Sequence, residues 1–208
     1  MTRGQFITFE GGEGAGKSTQ VARLAERLRA GGIPTVVARE PGGTPLGENI
    51  RDLVLQASPE PVTELLLFAA ARAEHVAKVI RPALEHGTWV VCDRFIDSTR
   101  VYQGRLGGVP DDLIGAVETR SVAPTFPDLT LVLDLSVEEG LKRTEARGEL
   151  SRFDAKGTEY HQRLRDGFLD IARAEPERCL VIDGSRTPDE IADDIWRSVE
   201  DRLLAKAR

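Results

Sequence analysis

Lysine is scarce in this chain of 208 residues: only five of its 28 basic residues are lysines, so an isolated arginine says little and a lysine inside a motif says more. Cysteine is almost missing. Cys92 and Cys179 stand far apart within apolar runs, which excludes a cysteine metal motif or a disulfide framework and fits buried thiols in a reducing compartment. No apolar run approaches the ~18 residues of a membrane span. Met1, Thr2 and Arg3 lead straight into a short strand-like segment, so we expect a soluble cytoplasmic chain with no signal peptide and no membrane partner. An excess of positive charge is lacking too: the net charge is −6, which argues against nucleic acid as a partner. There is no repeat and no low-complexity linker, so residues 1–208 are read as one domain.

What is present is an alternation. Gln5 to Glu10 reads as a buried strand and is followed, after glycines, by Val21, Leu24, Ala25 and Leu28 at helical spacing, with Gly31 and Gly32 as the stop. Thr35 to Arg39 is a second strand, and Pro41, Gly42 and Gly43 turn the chain into a helix marked by Ile50, Leu53 and Val54. A long helix is expected from about Val62 to His86, kinked at Pro82, before strands Thr88 to Asp93 and Leu129 to Leu135. Ser136 with Glu139, and Thr187 with Pro188 and Glu190, carry capping-box signatures on either side of a fifth strand, Cys179 to Asp183. Five such β/α units imply a five-stranded parallel sheet flanked by helices on both faces, with ligands gathered at the strands' carboxyl ends.

The first of those ends carries a motif. Gly11, Gly12, Glu13, Gly14, Ala15, Gly16, Lys17 and Ser18 match the phosphate-loop pattern between a strand and a helix. Glycines let backbone N–H groups converge on phosphate oxygens, and the helix start adds its positive dipole end. Lys17 reaches the outer phosphates and Ser18 can ligate Mg²⁺. A chance match in a chain this long is on the order of 1% by ordinary residue frequencies. The fold expected is therefore the three-layer P-loop NTPase α/β fold, with ATP and Mg²⁺ as cofactors. A guanine-reading Asn-Lys-x-Asp segment and the Leu-Ser-Gly-Gly-Gln of transporter ATPases are both missing, which leaves a small kinase.

Asp93, Arg94 and Phe95, with Ser98, Thr99, Val101, Tyr102 and Gln103, resemble the signature segment of thymidylate kinases. Glu40 to Thr44 (Glu-Pro-Gly-Gly-Thr) and Leu67 to Arg72 (Leu-Phe-Ala-Ala-Ala-Arg) agree, so that the resemblance covers nearly the whole chain. It implies transfer of the γ-phosphoryl of ATP to dTMP, giving dTDP for dTTP synthesis, in a homodimer. It assigns Phe68 to stacking on thymine and Arg72 to the base's carbonyl edge; the two are an (i, i+4) pair on one helix face. Without the resemblance Phe68 would be read as core and Arg72 as a solvated residue. Ser98, Thr99 and Gln103 resemble positions around the base, and Tyr102 an aromatic beside the sugar.

Arg94, directly after an apolar strand, stands where its fork can grip the acceptor's phosphate, and Asp93 can serve Mg²⁺ through water. A strand-ending ion pair is the plainer reading of these two. Glu13 resembles an acidic residue near the acceptor's sugar and phosphate. Arg51, as a further hand on that phosphate, and Glu40, as a wall of the pocket, are added without support from spacing.

The polar stretch from Arg143 to Arg165 is expected to be a mobile lid. Its Arg143, Arg147 and Arg152 resemble the basic lid of bacterial members whose P-loop lacks an arginine, as here, where Glu13 takes that place. A lid arginine would neutralise transition-state charge, with Arg152 the first choice of the three. A solvated charged face is the alternative. No general base is needed, because a phosphate monoester oxygen is already a competent nucleophile. Two rival readings stay open: a kinase of another nucleoside monophosphate or a deoxynucleoside, and a non-enzymatic ATP-dependent switch.

Overall fold

In the computed structural model, residues 2–148 and 156–205 are described. Five strands, β1 (Phe6–Glu10), β2 (Thr35–Arg39), β3 (Trp89–Asp93), β4 (Leu129–Asp134) and β5 (Cys179–Asp183), form one parallel sheet in the order β2-β3-β1-β4-β5. The strands are apolar on both sides because both are covered, and the two-residue period of a strand divides each into two sets. Ile7, Phe9, Val91, Leu131 and Leu133 face α1 (Lys17–Ala30) and α9 (Pro188–Val199) in one core layer. Phe6, Val90 and Cys92 face the opposite layer with Phe95 and Ile96. On that side Thr8 and Thr130 satisfy each other across β1 and β4 through their hydroxyls, 2.8 Å apart. Both cysteines are buried and free, as expected.

Between the strands run α2 (Pro45–Ala57), α3 (Pro61–His75), α4 (Arg81–Glu85), α5 (Ile96–Thr99), α6 (Asp111–Val122), α7 (Val137–Arg147) and α8 (Thr158–Ala174). The helix expected from Val62 to His86 is divided: α3 passes into a widened π turn, Val76–Ile80, and then α4. Pro82 is the physical reason, since its ring crowds the carbonyl four residues back and it has no N–H to return. The widened turn changes the bonding, with Arg81 donating to the Val76 carbonyl five residues earlier. Thr187 and Glu190 form the full capping box of α9. At α7 only half is made: Ser136 accepts from the Glu139 N–H, while the Glu139 carboxylate turns to Arg143.

The strand order places the site. The chain goes from β1 out to β2, returns to β3, and then crosses over to β4 on the other flank of β1. The crevice at that reversal lies at the carboxyl ends of β1, β3 and β4. Glu10 and the glycine-rich loop leave from the first of these, and Asp93 and Arg94 from the second.

Candidate active site

Gly11 to Ser18 pass from β1 into α1 as a tight loop. Gly14 has φ 71°, and a side chain there would meet the carbonyl of Gly140 in α7 at 2.1 Å, so only glycine lets the loop rest on that helix. Gly16, φ 88°, is the N-cap of α1 and offers no capping side chain; the first turn carries no acidic residue. The N–H groups of that turn and its positive dipole end are thus open to an anion. Lys17 Nζ donates to the carbonyls of Gly11 at 3.1 Å and Gly12 at 2.7 Å. Burial, reinforced by Arg94, brings its pKa down to about 8 against the opposing pull of Glu13 and Asp93. Ser18 Oγ donates to Asp93 Oδ2 at 2.6 Å, so these two oxygens meet at the foot of the loop.

Arg94 follows β3 in the left-handed region, φ 66°, a strained conformation for arginine that turns its side chain back over the P-loop. Its guanidinium donates to Glu13 Oε1 at 2.8 Å and to the Gly11 carbonyl and Ser98 Oγ at 3.3 Å. It also lies 5.3 Å from the centre of the Tyr102 ring, and the Tyr102 hydroxyl donates to the same Glu13 oxygen at 2.7 Å. Burial would raise Glu13, but Arg94, Lys17 and the Tyr102 hydrogen bond outweigh it and hold the carboxyl down to about 2. The alternative reading of Asp93 and Arg94 holds only in part: the two do not pair with each other, but Arg94 pairs with its neighbour Glu13, and Asp93 accepts from Ser18.

A carboxylate that the sequence marked only as a strand end supports this turn. Glu10, fully buried, accepts from the backbone N–H groups of Phe95 at 2.8 Å and Ser98 at 3.2 Å, and from Ser98 Oγ at 2.6 Å. It therefore anchors α5 to the central strand. Burial and the nearby Asp97 charge push Glu10 up to about 7, while Arg94 and its hydrogen bonds pull the other way. The signal was visible as a lone charge ending an apolar strand, Phe-Ile-Thr-Phe-Glu.

Beside Glu13 and Arg94 opens a cleft of about 220 Å³, lined also by Glu40, Arg51, Phe68, Arg72, Ser98, Thr99, Tyr102 and Gln103. Every residue assigned to the acceptor from sequence lines this one cleft. Pro41, Val54, Leu55 and Phe95, assigned no contact with the acceptor from sequence, complete the wall. Phe68 packs against Ile50, Val54 and Ala71. Arg72 is held on three sides, donating to Glu40 Oε2 at 2.6 Å, Thr99 Oγ1 at 2.9 Å and the Phe95 carbonyl at 3.1 Å. Glu40 is thus the partner of Arg72 rather than only a wall, and His75 Nδ1 lies 3.1 Å from its other oxygen. Arg51 donates to the Pro41 carbonyl at 3.1 Å. The expected lid run begins inside α7 and ends inside α8. Arg143 donates to the Gly184 carbonyl at 3.2 Å and to Glu139. The Arg147 side chain and Arg152 lie outside the described residues.

A glycine-rich loop opening a helix at the switch point of a parallel sheet, with a cleft of charged and aromatic side chains next to it, defines a P-loop protein of the kind that carries a phosphoryl group from a nucleotide to a second small molecule. The family model described as Thymidylate kinase matches residues 9–195. A thymidylate kinase of Caulobacter vibrioides is 53% identical over 98% of this chain and 99% of its own length. One of Bradyrhizobium diazoefficiens is 51% identical over 97% and 91%. The crystal structure of thymidylate kinase from Ehrlichia chaffeensis superposes with a TM-score of 0.79 at 35% identity, covering 95% of this chain and 99% of that one. The chain belongs to the thymidylate kinase family. Among the described residues no helix is long and apolar enough to cross a membrane.

Proposed function

We propose that this chain transfers the γ-phosphoryl group of ATP to dTMP, giving ADP and dTDP. The observation that carries the reading is the cleft that brings Phe68, Arg72 and Gln103 together at one end and Arg94 and Glu13, next to the P-loop, at the other. Phe68 offers a face for the thymine ring. Arg72 turns its remaining N–H groups to a base carbonyl, with Ser98 and Thr99 close by. Tyr102, tied to Glu13, walls the sugar, and Arg94 with Arg51 grips the acceptor phosphate. Lys17 and the first turn of α1 hold the donor phosphates, which sets the two phosphates in line so that catalysis is alignment plus charge stabilisation.

Mg²⁺ fits the oxygens at the foot of the loop. Ser18 Oγ and Asp93 Oδ2 are hard donors 2.6 Å apart, and Mg²⁺ characteristically takes one or two protein oxygens and keeps several waters. When bound, it would neutralise charge on the donor phosphates. The arginine expected over the γ-phosphate comes from the lid, Arg152 before Arg143 and Arg147. A homodimer belongs to the same reading, and Leu46 and Leu53 of α2 with Val62 and Leu66 of α3 supply exposed apolar surface for it.

The test is ADP release with ATP, Mg²⁺ and a panel of nucleoside monophosphates and nucleosides. Strong, selective stimulation by dTMP is expected. Stimulation by a different acceptor would remove Phe68 and Arg72 as thymine readers, and ATP binding with no acceptor-dependent release would point to a switch.

A further inference from the structure

Glu64 and Gln103 meet at the side of the cleft. Glu64 lies in the first turn of α3 and is 7% exposed; Gln103 lies in the widened helical turn Arg100–Leu106 and is 2% exposed. Gln103 Nε2 donates to Glu64 Oε1 at 2.6 Å. A glutamine amide can present either its NH₂ or its carbonyl to a neighbour, and the two are interchanged by a flip of the terminal bond. A carboxylate only accepts. Beside Glu64 the amide therefore has to present its NH₂, and its Oε1 is directed the other way. No described residue donates to that Oε1. Gln103 lines the cleft, so a carbonyl turned away from Glu64 has the cleft within its reach.

We propose that Glu64 is a positioning residue: it holds the Gln103 amide with its carbonyl toward the cleft, and so selects a base whose ring nitrogen carries a proton, the imide of thymine or uracil, over cytosine. The inference rests on the cleft being the acceptor site. Arg72 supplies the complementary half. Three of the five N–H donors of its guanidinium are taken by Glu40, Thr99 and Phe95, which leaves donors for a base carbonyl. A donor from Arg72 beside an acceptor from Gln103 matches the adjoining C4 carbonyl and N3–H of thymine. Cytosine presents the reverse, an amino group and a bare ring nitrogen, and opposes both. Because both protein groups are buried, the mismatch leaves them unpaired, and that penalty is what makes such a site selective.

The experiment compares kcat and KM for dTMP, dUMP and dCMP in the wild type and in Glu64→Gln. Glutamine can donate to Gln103 Oε1 as well as accept from its NH₂, so the variant removes the one-way constraint with little change of shape. The dTMP:dCMP ratio of kcat/KM is expected to fall about tenfold or more, through a higher KM for dTMP with kcat nearly kept. The dTMP:dUMP ratio should not move, since both bases carry the imide. An equal loss for all three acceptors, or an unmoved dTMP:dCMP ratio, overturns the inference and leaves the acceptor assignment standing. A wild type that prefers dCMP or a purine nucleotide overturns both. Should the variant fail to fold, the wild type answers alone: 3-methylthymidine 5′-monophosphate, which has no N3 proton, should compete at least about tenfold more weakly than dTMP, and equal competition sinks the proposal.

Discussion

The cleft proposed for the acceptor and the loop proposed for the donor meet at Glu13 and Arg94 but are prepared in opposite ways. In the cleft the polar side chains are fixed by one another: Arg72 by Glu40, Thr99 and Phe95, Arg94 by Glu13, and Gln103 by Glu64. These contacts leave particular donors and acceptors facing the cavity, and a bound base need not break them. In the donor loop the working groups are paired with partners they must exchange. Lys17 is bonded to the loop's own carbonyls and Ser18 to Asp93. On the proposed reading, recognition of the acceptor is built into the fold and so depends on fold stability, whereas donor binding substitutes phosphate for internal partners. Preorganised groups serve selectivity; exchangeable ones serve turnover.

That contrast can be broken by unequal mutations. The largest effect is expected at Lys17→Ala, where turnover should fall by about 10³ or more, since its charge opposes the charge that develops in transfer. Denaturant midpoint should barely change, because Lys17 is itself desolvated at a cost. A variant that keeps its activity would remove Lys17 from the chemistry. Arg72→Ala should behave differently, losing both dTMP binding and about 3–5 kcal/mol of stability, because the buried Glu40 loses its arginine and keeps only His75 beside it. Unchanged thermal unfolding in that variant would mean the cleft is not internally braced.

A smaller effect separates the two regions by pH. With the Lys17 pKa lowered to about 8, bound phosphate should raise it again, so nucleotide binding takes up a proton near pH 8. The sign follows: affinity for ATP holds below pH 8 and falls as pH rises above it, by up to about tenfold per unit. Calorimetry at pH 8 in buffers of different ionisation enthalpy reads that proton directly, and no uptake would refute it. The smallest change is Tyr102→Phe, which deletes one hydrogen bond to the Glu13 carboxylate. It should raise KM for dTMP by about tenfold, a hydrogen bond to a charged group being worth about 1.5 kcal/mol at the low end, with ATP binding unaltered. An equal loss on both substrates would show that Glu13 joins the two regions rather than dividing them.

The period-two apolar strands, the helices between them and the P-loop were legible from sequence because each is a local pattern with a local cause. Gly14 and Gly16 have to be glycine for backbone reasons, and Lys17 follows at a fixed place on the helix they open. That Phe68, Arg72 and Gln103 would line one cleft was legible only through family resemblance. Phe68 and Arg72 taken alone read as core and surface, and nothing in their spacing says that a cavity lies in front of them. Pro82 announced a break, but whether the helix would kink or widen into a π turn depended on the packing of Val76 and Ile80 against the sheet.

By itself, then, the sequence determined the alternation of elements, the coverage of both sheet faces and the phosphate loop, since hydrophobic period and glycine geometry act within a few residues. The tertiary structure alone decided the pairs that brace the cleft. Glu10 with Ser98, Glu13 with Arg94, Glu40 with Arg72 and Glu64 with Gln103 each join residues at least 30 positions apart in the chain, and each is brought together only when the sheet and its helices have closed. A carboxylate's partner is chosen by what else is buried beside it, and burial is a property of the whole fold.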